Sequence, residues 1–363
     1  MDITEIDKNF TIAQSINRDD IVYYDPTNEP FRIYGVMIPD EVEDHYRRIP
    51  EAVAENINKG TKNLRTYTAG GRIRFRTDSP FVVVHVEYSK RSDFPSMSLC
   101  GSLGLDLYAD GYDEGERFIG VFTPPKKSEA GYEAIVHTPQ SGDRDACRTL
   151  TVNMPSYNKV SRIYIGIQRG SSLLPPREYT YKIPVVYYGS SITQGASSSR
   201  PGNIYSAVVS RALDCDFVNL GFSGNAFGET TMAEYIAAMK MSVFVMDYDY
   251  NAATPAQLEA THEPFFKIIR SAHPHLPIIM SSNPKAHPNE EDIARRDIIR
   301  NTYEKALKAG DKNVYFIDGG MTFAEYGGDC ATLDNSHPND LGFVAMANRL
   351  IPIVKKCLDN GNV

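Results

Sequence analysis

Four short stretches in the last half of the chain hold the side chains best suited to chemistry. They are Gly189-Ser190-Ser191-Ile192-Thr193-Gln194-Gly195, Gly221-Phe222-Ser223-Gly224-Asn225, Asp247-Tyr248-Asp249-Tyr250-Asn251 and Asp334-Asn335-Ser336-His337-Pro338. Together they offer a hydroxyl, an imidazole, a carboxylate, a side-chain amide and two loops of small residues. Such an inventory can build an acyl-transfer site, in which a serine attacks a carbonyl and a neighbouring base takes its proton. Each piece alone has a plainer reading. Gly-Ser-Ser is a common turn. His337 before Pro338 suits a helix cap or a surface group. Asp334 suits an Asx-turn and Asn251 an ordinary loop. Their conjunction, in this order, favours a joint role.

Competing motifs fail on spacing. Ser191 is followed by Ile192 and Thr193, and Gly221-Phe222-Ser223-Gly224-Asn225 lacks a final glycine, so neither forms a Gly-x-Ser-x-Gly elbow. No Gly-x-Gly-x-x-Gly follows the strand before Ser191, which argues against a dinucleotide. Asp247, Asp249 and Asn251 imitate the start of a calcium loop, but Ala252 stands where glycine is needed and Leu258 where glutamate is needed. His273, His275 and His287 flank prolines without a matching acidic pattern. No metal and no organic cofactor is expected.

Alternating elements must position these loops. From Pro184 onward, short apolar runs at Val185 to Tyr188, Asp216 to Leu220, Val243 to Met246, Pro277 to Ser281 and Val314 to Asp318 read as strands. Between and after them, helical patterns cover Ile204 to Leu213, Thr230 to Met241, a segment capped by Thr254, Asn289 to Ala309, and Asp340 to Leu358. Strand–helix alternation implies a parallel sheet covered on both faces, with ligands beyond the carboxyl ends of the strands. All four stretches fall at such ends.

The first half follows another period. Phe31 to Met37, Arg72 to Arg76, Phe81 to Tyr88, Leu103 to Ala109, Arg117 to Phe122, Tyr132 to His137, Arg148 to Met154 and Arg162 to Ile167 are short strand patterns. Turn residues such as Ala69-Gly70-Gly71, Asp110-Gly111, Pro124-Pro125 and Ser141-Gly142 separate them. This spacing predicts a β-sandwich or jelly roll. Glu41 to Lys59 has helical composition interrupted at Pro50, and Gly170 to Tyr181 reads as a linker. The expected organisation is a β-sandwich accessory domain over 1–180 and an α/β domain over 181–363.

The four stretches resemble the sequence blocks of the SGNH (GDSL-type) hydrolase superfamily, in the family's order. Gly189-Ser190-Ser191-Ile192 is similar to block one, with Ser191 in the nucleophile position. Asn219-Leu220-Gly221-Phe222-Ser223-Gly224 is similar to block two and Asp249-Tyr250-Asn251 to block three. Asp334-Asn335-Ser336-His337 is similar to the last, Asp-x-x-His block. Departures are Ser190 in place of the usual aspartate, and Asp249 and Ala252 flanking Asn251. The variant resembles a branch with a β-rich N-terminal domain, several of whose members are carbohydrate-active esterases, and Leu105-Asp106-Leu107-Tyr108-Ala109-Asp110-Gly111 is similar to that domain.

The resemblance implies an ester hydrolase. His337 would act as base and acid toward Ser191, with Asp334 fixing the imidazole tautomer. The backbone N–H groups of Ser191 and Gly224 and the Asn251 amide would hold the oxyanion. The expected reaction is hydrolysis of a short-chain ester through an acyl-enzyme, with acetyl as the expected acyl group and carbohydrate as the expected alcohol. The alternatives are a lipase or thioesterase of the same fold and a non-catalytic carbohydrate binder on a degenerate scaffold.

Composition narrows the partners. The chain has 363 residues, 42% hydrophobic and 23% charged, which fits ordinary globular usage and roughly two domains. Its net charge is −8, and the short basic runs Arg72-Ile73-Arg74-Phe75-Arg76 and Arg295-Arg296 read as solvated positions, so nucleic acid is not an expected partner. No apolar stretch approaches the roughly twenty residues of a membrane span. Met1 to Asp20 shows no signal core, which suits either a cytoplasmic protein or an exported one whose leader is gone. The five cysteines, Cys100, Cys147, Cys215, Cys330 and Cys357, form no Cys-x-x-Cys pair and read as buried free thiols. Composition leaves the oligomeric state open.

Overall fold

Period-two patterning turns the first half of the chain into antiparallel sheet. The computed structural model describes residues 16–41, 43–112, 115–127, 130–138 and 147–361. The chain folds into two units that interleave along the sequence. The first takes the chain to Arg48, then Thr66–Glu178 and Ser199–Gly202. The second takes Ile49–Arg65, Tyr179–Ser198 and everything from Asn203.

The first unit holds β1 (Ile21–Tyr24), β2 (Arg32–Tyr34), β3 (Arg72–Thr77), β4 (Phe81–Lys90), β5 (Leu105–Tyr112), β6 (Gly115–Phe122), β7 (Gly131–His137), β8 (Arg148–Asn153), β9 (Lys159–Gln168) and β10 (Leu173–Leu174). One sheet runs β1-β9-β4-β7, the other β10-β3-β8-β5-β6 with β2 on β3. Alternate residues from each sheet meet in one core: Val82, Val84 and Val86 of β4 and Ile163, Ile165 and Ile167 of β9 join Ile73, Phe75, Leu107 and Val152. This is the packing of a β-sandwich. On β5, the carboxylate of fully buried Asp106 accepts bonds from Asn153 Nδ2 (2.7 Å), the Gly202 N–H (2.8 Å) and Arg200 (3.1 Å).

Several local expectations change. β5 runs through Asp110-Gly111 to Tyr112, with a register shift after Ala109 instead of a turn. Residues from Glu41 to Ile49 that the structure describes are not helical. The Met37 and Arg47 backbones exchange hydrogen bonds across a bridge, which uses groups a helix would need. Arg72, Arg74 and Arg295 are buried and not solvated. Arg74 reaches Thr151 Oγ1 and Glu116, Arg72 donates to the Gly70 carbonyl, and Arg295 donates to the carbonyls of Asp249 and Ala252. All five cysteines are free, but only Cys215 and Cys357 are buried, and Cys330 is exposed. The Ser141-Gly142 turn and most of the Met1 to Asp20 segment lie outside the described residues.

The second unit has helices α1 (Glu51–Ala54), α2 (Lys59–Leu64), α3 (Ser191–Gln194), α4 (Tyr205–Leu213), α5 (Thr230–Ala237), α6 (Pro255–Ala272), α7 (Glu290–Lys308) and α8 (Asp340–Asn360). Its strands are β11 (Tyr181–Gly189), β12 (Cys215–Gly221), β13 (Val243–Asp247), β14 (Ile278–Ser281) and β15 (Val314–Ile317), all parallel in the order β12-β11-β13-β14-β15. Strand residues alternate between two cores. Val186, Tyr188, Phe244, Met246 and Met280 pack with residues of α5, α6 and α7, and Val185, Tyr187, Val243, Val245 and Ile279 with residues of α4 and α8. This is the three-layer α/β fold expected. Ile49 and Ala54, from the α1 segment, belong to the first of these cores. Among the described residues no helix is long and apolar enough to cross a membrane.

Candidate active site

β11 ends at Gly189 and the chain turns at once into α3, whose first residue is Ser191. A Cβ on Gly189 would lie 2.1 Å from Thr193 Oγ1 and 2.3 Å from the Asp247 carbonyl, so this turn requires glycine. The Ser190 hydroxyl caps α3 by accepting from the Ile192 N–H at 3.2 Å. Ser191 is only 6% exposed. Beneath it, Tyr205 Oη lies 3.0 Å from both Thr193 Oγ1 and Asp247 Oδ2, and Thr193 Oγ1 is 3.2 Å from Asp247. Burial, together with the nearby Asp249 charge, pushes the Asp247 carboxyl well above the usual carboxylate range. In its neutral form this carboxyl can donate as well as accept within the network.

The neighbouring strands bring two further loops alongside. Gly189 pairs with Gly221 of β12 on one side and with Asp247 of β13 on the other. Fully buried Asn219 joins the first two loops: its Nδ2 donates to the Thr193 carbonyl (2.6 Å) and its Oδ1 accepts from the Gly221 N–H (2.9 Å). Gln194 Oε1 accepts from the Ser223 N–H at 2.9 Å. Gly224 is exposed with φ +67°, and a Cβ there would meet nothing within 4 Å. Asn251 Oδ1 accepts from the Ala226 N–H at 3.2 Å, which assigns the other end of that amide as the donor Nδ2. Before it, the buried Asp249 carboxylate accepts from the Asn283 N–H at 2.9 Å. Burial raises this carboxyl to about 6, against the lowering effects of that N–H and the Arg295 charge.

The last loop completes a line of hydrogen bonds. His337 Nε2 lies 2.9 Å from Ser191 Oγ, and His337 Nδ1 lies 2.8 Å from Asp334 Oδ2. Asp334 Oδ1 accepts from the N–H groups of Ser336 (3.1 Å) and His337 (2.8 Å), an Asx-turn that fixes the carboxylate under the ring. Partial burial raises the Asp334 carboxyl, but the bonds and charge from His337 outweigh this and hold it below its usual value. The Tyr250 ring stands edge-on to the imidazole at 6.2 Å, and the Lys285 ammonium lies 5.9 Å over the Tyr250 ring. The plainer reading of Asp334 holds in the structure, since it does make the Asx-turn. The helix-cap reading of His337 does not, because Asn339 caps α8.

The GDSL-like lipase/acylhydrolase family profile matches residues 182–355, and that of the N-terminus of SGNH-hydrolase-type esterases matches residues 21–173. The chain belongs to the SGNH (GDSL-type) hydrolase superfamily. As an SGNH hydrolase it is an ester hydrolase. A structure described as a GDSL-like lipase from Bacteroides ovatus is 28% identical, with a TM-score of 0.81 over 93% of this chain and 98% of that one. A salicylyl-acyltransferase from a tetracycline biosynthetic pathway is 20% identical, with a TM-score of 0.75 over 93% and 98%. An acetyl xylan esterase from Butyrivibrio proteoclasticus is 12% identical, with a TM-score of 0.56 over 93% and 99%. The last two show that the fold is shared. Among curated protein sequences nothing matches the chain.

Sequence reasoning gave no role to Asn219, Gln194 or Asp247, and did not place α1 and α2 with the hydrolase fold. A signal existed for Asn219, a polar residue inside the apolar run Phe217-Val218-Asn219-Leu220. Among the described residues no group of three or more His, Cys, Asp or Glu is arranged to hold a metal.

Proposed function

We propose that this SGNH hydrolase is a serine esterase that removes short acyl groups, acetyl above all, from carbohydrate. The observation that carries the reading is the unbroken line from Ser191 Oγ through His337 to Asp334, at 2.9 and 2.8 Å. His337 Nε2 takes the hydroxyl proton as Ser191 Oγ bonds to the ester carbonyl carbon. The ionised Asp334, already bonded to Nδ1, stabilises the imidazolium. The tetrahedral oxyanion rests on the N–H groups of Ser191 and Gly224 and on Asn251 Nδ2. Collapse expels the alcohol with the proton from His337, leaving an acyl-serine. Water, deprotonated by the same histidine, then releases the acid.

The alcohol side of this proposal is supported by Tyr250, beside His337, and by Lys285, which lies over the Tyr250 ring and pairs with Asp292. Tyr250 and Lys285 suit a hydroxyl-bearing alcohol better than a fatty chain. The fold shared with an acetyl xylan esterase supports the same reading. Residues 1–180 are proposed as the accessory domain and 181–363 as the hydrolase domain, with 49–65 serving the latter.

Ser191→Ala is expected to lower turnover of aryl acetates and acetylated xylo-oligosaccharides by about four to six orders of magnitude with the fold intact. Near-wild-type turnover by the variant would refute the mechanism. A nitrophenyl-ester series peaking at eight or more carbons would point to a lipase instead.

A further inference from the structure

We infer that Asn225 and Gly60 are positioning residues for the Gly224 donor, with the α2 segment holding Asn225 by its backbone carbonyl and by the close approach of Gly60 to its amide, and the Asn225 side chain holding the Ser223–Gly224 peptide. The inference rests on the esterase reading above and adds to it a part of the chain more than a hundred residues away in sequence.

The Ser223 carbonyl and the Gly224 N–H belong to the same planar trans peptide, so they point in opposite directions. Fixing the carbonyl therefore aims the N–H. Asn225 Nδ2 donates to the Ser223 carbonyl at 2.7 Å. Two further bonds anchor this turn, the Asn225 N–H on the Phe222 carbonyl (2.9 Å) and the Ser223 N–H on Gln194 (2.9 Å). Neither of these acts on the Ser223–Gly224 plane itself. Gly224, at φ +67° and exposed, has no side chain of its own to hold it. Left to the backbone alone, this peptide could rotate, and a donor that must reorganise during the reaction stabilises the oxyanion poorly.

What holds Asn225 is α2. Its cap residue Asn58 donates Nδ2 to the Asn225 carbonyl (3.1 Å) and to Glu229 Oε1 (2.5 Å). Fully buried Thr61 donates its hydroxyl to the same carbonyl at 3.2 Å. Between these two residues, Gly60 faces the Asn225 amide so closely that a Cβ on it would lie 1.7 Å from Oδ1, 2.1 Å from Cγ and 2.5 Å from Nδ2. The φ of Gly60 is not in the left-handed region, so contact, not backbone conformation, demands glycine there. Even one methyl at position 60 has to push the amide off the Ser223 carbonyl.

A double-mutant cycle tests this in the full chain, read by kcat and KM on an aryl acetate and by the inhibition constant of an arylboronic acid, which mimics the tetrahedral intermediate on Ser191. Asn225→Ala is expected to lower kcat roughly ten- to a hundredfold, less than full loss of an oxyanion donor, with KM within about twofold. The boronate should weaken by the same factor. Gly60→Ala should reproduce both effects, and should cost nothing further when Asn225 is already alanine. If Gly60→Ala does not fold, Thr61→Val takes its place and should give a smaller drop in kcat that also vanishes on the Asn225→Ala background. Wild-type kcat and boronate affinity in Asn225→Ala would overturn the inference, as would losses that simply add in the double variant. Ser191→Ala, assayed alongside, separates the two levels: if it stays active the esterase reading fails, whereas if it is dead while Asn225→Ala is normal only the positioning role fails.

Discussion

Ser191 is 6% exposed, and the groups that fix its corner, Asn219, Gln194 and Asp247, come from β12, α3 and β13. On the other side of the site, the side chains of His337 and Asp334 are 25% and 48% exposed, and apart from the Ser191–His337 bond the hydrogen bonds that shape them come from within three residues. The proposed nucleophile is thus held by tertiary structure and the proposed base by a local turn. The contrast fits the tasks proposed for them. A nucleophile must meet the carbonyl and the oxyanion donors at fixed distances, so its surroundings are tightly determined. An imidazole that takes and returns a proton needs a set orientation more than deep burial, and one carboxylate in an Asx-turn supplies it.

The comparison predicts which substitutions harm chemistry and which harm the fold. Asp334→Asn should have the largest effect of the three that follow, lowering kcat by roughly two to four orders of magnitude through loss of the charge that supports the imidazolium. Its melting temperature should stay within about 2 °C of wild type, because the carboxylate is half-exposed and few other groups depend on it. A large thermal loss would show that the last loop is a structural anchor after all. Asn219→Ala should invert the pattern. It removes the bonds that Asn219 makes to the buried Gly221 N–H and the Thr193 carbonyl, costing about 1–3 kcal/mol of stability in denaturant melts and roughly tenfold or more in kcat. If stability were unchanged, the idea of a tertiary-held serine corner would fall.

The third effect is read in stability against pH. The Asp249 carboxyl is raised from 3.8 to about 6 in the folded protein, so the native state binds this proton more tightly than the unfolded chain does. Its contribution is full below the unfolded value and is lost as pH rises through about 6. Buried Asp247 shifts in the same direction. Between about pH 4 and 7, wild type should lose on the order of 2–3 kcal/mol that Asp249→Asn does not lose. Equal slopes in the two proteins would assign that pH dependence elsewhere.

Much of the site was legible because its pieces are short. Asp-x-x-His spans four residues, and each strand-end loop follows an apolar run that can be recognised by itself. The same holds for the cap at Thr254, which accepts from the Gln257 N–H. What could not be read was where a segment's backbone and polar groups find partners. The stretch before Pro50 has helical composition but spends backbone bonds on Met37. Arg72 and Arg74 alternate as if facing water, yet they are buried against Gly70, Thr151 and Glu116. Residues 49–65 lie in the first half of the chain and pack with the second unit.

Residue order alone decided the supply of groups: a serine after one strand, small-residue and amide-bearing loops after two more, and a carboxylate three positions before a histidine. Those relations depend on hydrogen bonds and periods that span a few residues, so they survive without any knowledge of the fold. The meeting of Ser191 with His337, 146 residues apart, and of Asn225 with Asn58, 167 apart, had to wait for the folded chain. Strand order in the parallel sheet and the docking of α2 set those distances, and both come from packing between segments whose sequences carry no mark of which partner they will touch.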